Sequence, residues 1–366
     1  MGIKRIFNKI AALATVCCFV ISGMTGTVTA FSETALMPLQ KGMCYVTWDR
    51  DRFATQYSDN SLTKLSEMGV EYISLCVTEY QEKYNSTRIE ETDKTPSSRS
   101  VKHVIRKAHD LGMKVMLKPH IDLIDKFDGT YWRADIGFAT EKDWEEWFEE
   151  YEDFIIKYAK IAQRCKVDIF CVGTELSFTA QKEDKWREII AKVKKIYDGK
   201  LVYAANWDNF KNIGFWDEMD YVGIDAYFPL SYDPDPSMED LKKGWEKWKK
   251  DIAYWQSQIN KPIIFTELGY ASTAHAPYSP WKGGYSGNAD PEIQAKCYKA
   301  FFDTVWKEPW FAGVYWWKWD TNTRAGGEHN RQFTPQNKPA QRIIEANYKG
   351  MPGDSDYAMI KAEDQR

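Results

Sequence analysis

Two glutamates stand where an otherwise apolar run stops. Glu175 closes Ile-Phe-Cys-Val-Gly-Thr-Glu, and Glu267 closes Pro-Ile-Ile-Phe-Thr-Glu. A carboxylate at the rim of an apolar strand loses part of its hydration, so its neighbours set its pKa. Two such groups facing one another can share a double displacement at a sugar: one attacks the anomeric carbon, and the other protonates the leaving oxygen and later activates water. That chemistry wants the carboxyl groups roughly 5–5.5 Å apart. Taken singly, each glutamate has a plainer use, pairing with a cation to close the end of a sheet. Taken together, with aromatic residues at neighbouring strand ends, they favour the catalytic reading.

The pair can meet only if the chain brings its fourth and seventh strands to one mouth. Eight short apolar runs predict strands at 42–48, 72–78, 114–119, 169–173, 201–205, 221–226, 262–266 and 313–317. Amphipathic stretches at 61–68, 98–111, 141–163, 184–197, 238–259 and 293–306 predict helices between them. Met68-Gly69, Leu111-Gly112, Asp198-Gly199 and Asn260-Lys261-Pro262 supply stop signals. Alternating strands and helices imply right-handed βαβ units and a parallel sheet. One uninterrupted series of about 320 residues predicts an α/β fold, a single (β/α)8 TIM barrel. A doubly wound open sheet would place a glycine-rich phosphate turn after the first strand, and 42–52 contains none.

Side chains at the carboxyl ends of barrel strands share one site. Those ends carry Trp48, Glu79, His120, Glu175, Asn206 with Trp207, Tyr227, Glu267, and Trp317 with Trp319. Tyr227 is a candidate donor to the nucleophile carboxylate, and Trp317 and Trp319 are candidate floors for the reacting sugar. His120 is a candidate partner for a sugar hydroxyl, and Trp48 and Trp207 are candidate platforms for sugar faces. Asp122, Asp225 and Glu79 read as rim acids without an assignable role. No spacing of His, Asp and Glu compels a metal, and retaining hydrolysis needs neither metal nor cofactor.

Four segments together carry a resemblance: Val-Gly-Thr-Glu-Leu-Ser (172–177), Ile-Asp-Ala-Tyr-Phe-Pro-Leu (224–230), Ile-Ile-Phe-Thr-Glu-Leu-Gly-Tyr (263–270) and Gly-Val-Tyr-Trp-Trp-Lys-Trp (313–319). With Lys-Pro-His-Ile-Asp at 118–122, they resemble glycoside hydrolase family 113, over roughly 41–345. The resemblance implies a retaining barrel enzyme acting on β-1,4-mannan, with Glu175 as acid/base and Glu267 as nucleophile. One position departs from the wider clan: Thr174 stands where an Asn usually binds the sugar 2-hydroxyl. Asn206 is the candidate to take that role.

Composition narrows the setting. Residues 1–30 read as a signal peptide, with Lys4, Arg5 and Lys9 ahead of an apolar run at 11–20, and Val28 and Ala30 at the minus-three and minus-one positions of a cleavage site. A permanent membrane anchor would need a longer apolar run. Cleavage would take three basic residues and no acid from a chain of 49 Lys+Arg and 53 Asp+Glu. The catalytic domain, 31–350, is then acidic and offers nothing to nucleic acid or anionic lipid. Residues 351–366 read as a polar tail. The five remaining cysteines, Cys44, Cys76, Cys165, Cys171 and Cys297, match no zinc spacing and read as small core residues. The expectation is a secreted, monomeric enzyme of β-mannan or manno-oligosaccharides. An exo-acting β-mannosidase, another retaining β-glycanase and a non-catalytic sugar-binding barrel are the alternatives. Aldol chemistry would want a strand-end lysine, for which Lys318 is the nearest candidate.

Overall fold

Eight parallel strands close into a barrel in chain order in the computed structural model, which describes residues 38–351 except 128, 285 and 286. The strands are β1 (Gln40–Val46), β2 (Tyr72–Gln81), β3 (Lys114–Leu123), β4 (Ile169–Thr174), β5 (Lys200–Asn206), β6 (Tyr221–Asp225), β7 (Ile263–Leu268) and β8 (Phe311–Asp320). The helices are α1 (Gln56–Glu67), α2 (Ser98–Asp110), α3 (Glu141–Cys165), α4 (Glu183–Lys194), α5 (Met238–Ile259), α6 (Pro291–Thr304) and α7 (Pro339–Lys349). The signal-peptide reading of 1–30 lies outside the described residues, as does the tail reading beyond Met351.

Local signals start the helices where the sequence places them. Ser97 and Thr140 accept from the backbone N–H groups of Ser100 and Asp143. Ser237 and Asp240 form a reciprocal capping box at the head of α5. Lys166 and Asn260 end α3 and α5 in the left-handed conformation. α1 begins five residues before the predicted 61, because Thr55 caps it at Ser58. α7 escaped the sequence reading altogether; its buried Ile343, Ile344 and Tyr348 close the ring beside α6. Between β5 and β6 only 3-10 turns at Phe210–Asn212 and Trp216–Glu218 occur.

Side-chain alternation sorts each strand into two faces. Odd residues of β3, Val115 and Leu117, face the surrounding helices. Inside the barrel, Cys44, Cys76, Met116, Cys171, Val202 and Tyr315 form a separate cluster. Three of the five cysteines therefore fill the barrel interior, and Cys297 is also buried, while Cys165 is partly exposed. Gly173 lets β4 lie close against Trp186 and Tyr203, where a Cβ would meet ring carbons at 2.7 Å.

Candidate active site

Two routes bring the glutamates to the same mouth. Glu175 follows the last residue of β4 with φ +56°, left-handed for a residue with a Cβ, and its N–H donates to Ala204 O at 2.8 Å. That peptide geometry turns the carboxyl over the barrel. Glu267 lies inside β7, where simple alternation from inward Ile264 would send it outward. The β6–β7 register shifts between Ile224/Phe265 and Asp225/Glu267, and this irregularity swings the side chain into the mouth. Both glutamates line one cleft of about 490 Å³ with Trp132, Arg133, Asn206, Trp207, Tyr227 and Trp317.

Their surroundings differ in sign. Glu267 accepts from Lys118 Nζ at 2.6 Å through Oε1, and from the Tyr227 hydroxyl at 2.6 Å through Oε2. Lys118 also donates to both oxygens of Asp225, at 3.0 and 3.2 Å, and Thr266 donates to Asp225 at 2.8 Å. Burial alone would depress the Lys118 ammonium, but Asp225 and Glu267 outweigh it and hold it well above its usual value. Burial and the neighbouring Glu267 raise the Tyr227 phenol well above its usual value, so it stays protonated and donates.

Glu175 is the tunable member. Burial raises its pKa, Arg133 opposes, and the Glu267 charge adds to the rise; the balance lies above the ordinary carboxylate value. Arg133 Nη1 donates to Glu175 Oε2 at 2.6 Å, while its Nε donates to Ile121 O at 2.8 Å. A raised carboxyl beside a carboxylate fixed by donors is the division of labour that acid/base and nucleophile require.

The supporting residues divide. Tyr227, Asn206, Trp207 and Trp317 are in the cleft, with Asn206 Nδ2 donating to Ser177 Oγ at 2.8 Å. Trp207 stacks on Trp281, centroids 5.7 Å apart at 13°. His120 is buried beside the pair, its Nε2 4.0 Å from Glu267 Oε1 and without a hydrogen-bond partner. Burial, then the charges of Lys118 and Arg133, push the imidazole well below its usual value, so it is neutral.

Four expectations need correction. Trp319 is no sugar floor: it is fully buried outside the barrel and donates to Ser61 Oγ of α1 at 2.9 Å. The register of β8 against β1 slips between Trp316 and Trp319, so alternation from Trp317 fails there. Trp48 stands in a neighbouring hollow rather than in the cleft. Glu79 points outward to Lys157 of α3, as its odd position in β2 requires. Asp225 is not at the rim but fully buried under it, bound to Lys118. Asp122, by contrast, does lie in the mouth, 3.7 Å from Arg133 and paired with Lys126 at 2.9 Å.

Sequence reasoning also missed Lys118 and Arg133. Lys118 shares the even register of inward Met116 and His120, a signal that was present. Arg133 comes from a 3-10 turn ten residues beyond β3, and no spacing announces it.

The sequence model of Glycoside Hydrolase Family 113 matches residues 44–338. A solved complex of a GH113 β-1,4-mannanase is 28% identical with a TM-score of 0.77, covering 86% of this chain and 99% of that one. The GH113 β-mannanase of Alicyclobacillus acidocaldarius, solved in complex with ManMIm, is 27% identical with a TM-score of 0.77, covering 86% and 98%. No curated protein matches. A carboxylate pair in one cleft, a chain-order barrel and a family pattern running from β1 to the cap of α7 converge: this chain belongs to glycoside hydrolase family 113.

Proposed function

We propose that this glycoside hydrolase is a retaining endo-β-1,4-mannanase that is exported from the cell. The observation that carries the mechanism is the asymmetry of the pair. Glu267 accepts from an ammonium and a phenol at 2.6 Å each, which suits a group that must attack as a carboxylate. Glu175 has its pKa raised by burial, which suits a group that must deliver a proton.

In the first half-reaction Glu267 bonds to the anomeric carbon as Glu175 protonates the departing oxygen. In the second, Glu175 takes a proton from water, and that water displaces Glu267. The two inversions restore the starting configuration. Tyr227 and Lys118 hold Glu267 in place before attack and receive the carboxylate when it leaves. Support for the mannan backbone comes from the GH113 mannanases that this chain resembles over nearly their whole length.

Proton NMR of the first product of mannohexaose hydrolysis tests the reading, with xylan and cellulose as comparison substrates. The β-anomer at the new reducing end and preferential cleavage of mannan are expected. The α-anomer would overturn double displacement, and equal turnover of xylan would overturn the mannan assignment. Export rests on the leader-like residues 1–30. N-terminal sequencing of the protein recovered outside the producing cell should begin near Phe31, and an intact Met1 there would overturn it.

A further inference from the structure

The strand that delivers Glu175 changes phase just before it. Cys171 of β4 pairs with Val202 of β5 but Thr174 pairs with Ala204, so β4 advances three residues where β5 advances two. Alternation from Cys171, which fills the barrel interior, would aim position 173 inward as well. A Cβ there would instead meet the rings of Trp186 and Tyr203 at 2.7 Å, on the helix side of the sheet. Thr174 then faces in, its Oγ1 3.7 Å from Cys171 Sγ. One more extended residue would face the helices, and the bulge would carry the proton donor out of the cleft. The left-handed backbone of Glu175, φ +56°, reverses that aim.

Two hydrogen bonds to β5 hold this turn, one on each side of the Glu175 Cα. The peptide before it is tied main chain to main chain, Glu175 N–H to Ala204 O at 2.8 Å. The peptide after it lies beyond the end of β4, and its Leu176 N–H donates instead to the Tyr203 hydroxyl at 3.1 Å. Tyr203 is buried on the helix side of β5, behind the cleft rather than in its wall. Its ring stands edge-on to Trp186, Phe215 and Trp216, at centroid distances of 5.4, 5.3 and 6.1 Å. Those three rings fix where its oxygen stands. Burial pushes the phenol well above its usual value, so it stays neutral while it accepts from Leu176.

We propose that Tyr203 is a positioning residue for proton transfer: by pinning the peptide after Glu175, it holds the carboxyl of the general acid over the leaving oxygen. The proposal rests on the reading of Glu175 as acid/base. Without the hydroxyl, the Leu176 N–H is left buried without an acceptor, and only one of the two ties remains. The strained turn can then relax toward extended backbone, which swings the carboxyl away from the leaving group. Proton delivery falls steeply with such a displacement, whereas the attack of Glu267 does not depend on it.

The test measures kcat and KM for phenyl and dinitrophenyl β-mannobiosides, a poor and a good leaving group on the same sugar, in the wild type, Tyr203→Phe, Tyr151→Phe and Glu175→Ala. Phe at 203 keeps the ring among its three aromatic neighbours, so the fold is retained. Tyr203→Phe should lose about tenfold in kcat/KM on the phenyl glycoside, the worth of one buried hydrogen bond. On the dinitrophenyl glycoside, whose leaving group needs no proton, kcat/KM should match the wild type. There kcat and KM should fall together, because Glu175 also activates the water that releases the glycosyl-enzyme. Tyr151→Phe removes a comparable bond, to Val172 O at 2.7 Å, ahead of the turn. It should lower the melting temperature without separating the two substrates. Equal losses on both glycosides in Tyr203→Phe, or none, would overturn the positioning role, as would the same separation in Tyr151→Phe. If Glu175→Ala itself fails to separate the leaving groups, the acid/base reading falls and takes the proposal with it. If Glu175→Ala separates them and Tyr203→Phe does not, the proposal alone falls. A wild type that prefers cello- or xylobiosides overturns the mannan reading, and the same two leaving groups on that sugar then decide Tyr203 by the same outcomes.

Discussion

Lys118 Nζ, fully shielded from solvent, lies 2.6 Å from Glu267 Oε1 at the floor of the cleft, and the same ammonium spans the two oxygens of Asp225. One cation thus ties β3 to β6 and β7 across the barrel interior, in a place where water cannot substitute for it. Lys118→Met should leave two carboxylates without their counter-charge. A loss of about 3–5 kcal/mol in stability is expected, with at least a hundredfold fall in kcat. Denaturant unfolding measured beside steady-state rates checks both, and a stable variant with wild-type kcat would refute the role.

Tyr227 donates the other bond to Glu267, at 2.6 Å. Tyr227→Phe keeps the ring against Phe333 and removes only the hydroxyl. A hydrogen bond to a charged group is worth about 1.5–3 kcal/mol, so kcat should fall roughly tenfold to a hundredfold. Thermal stability should move little. A variant that melts far below the wild type while turning over normally would recast Tyr227 as a packing residue.

The two glutamates should separate under chemical rescue. Glu267→Ala should be inactive on every substrate, since the nucleophile serves both half-reactions. Glu175→Ala should lose about 10²–10⁴-fold on mannan, the usual worth of general acid catalysis, and far less on an aryl mannoside with a good leaving group. Azide should then accelerate it and yield a β-mannosyl azide, whereas azide with Glu267→Ala should yield the α-azide. NMR of the azide products reads the outcome, and reversed configurations would exchange the two roles.

Arg133 opposes the rise in the Glu175 pKa that burial and Glu267 produce. The acid must be protonated to work, so activity is present below its pKa and is lost as pH climbs through it. Arg133→Gln removes a positive charge beside the ionised form and should raise that pKa. The alkaline limb of kcat/KM should shift to higher pH, and a shift to lower pH would contradict the electrostatic account.

The barrel was legible because the strands are apolar runs, several of them preceded by a helix stop, and Glu175 and Glu267 were legible because each closes such a run. Alternation also encoded the inward aim of Lys118 and Asp225 and the outward aim of Glu79, once one residue of each strand was placed. Register slips in β7 and β8 were not legible, and they decide that Glu267 faces in and Trp319 faces out. Arg133 depends on how a long loop returns to the mouth, which no local pattern states. The helix-free crossover from β5 to β6 was readable as a missing amphipathic pattern, whereas α7 was passed over beside a polar tail.

The left-handed backbone at Glu175 also bears on how such a barrel could retire from catalysis. Most side chains resist that conformation, whereas glycine adopts it freely and asparagine more readily than other residues. Replacement of Glu175 by Gly or Asn therefore removes the proton donor while easing the chain, and replacement by Val or Ile removes it at a further cost to folding. Descendants kept only for holding sugar would drift toward Gly or Asn at this position first. A survey of that single residue across related barrels would sort hydrolases from lectins before any assay.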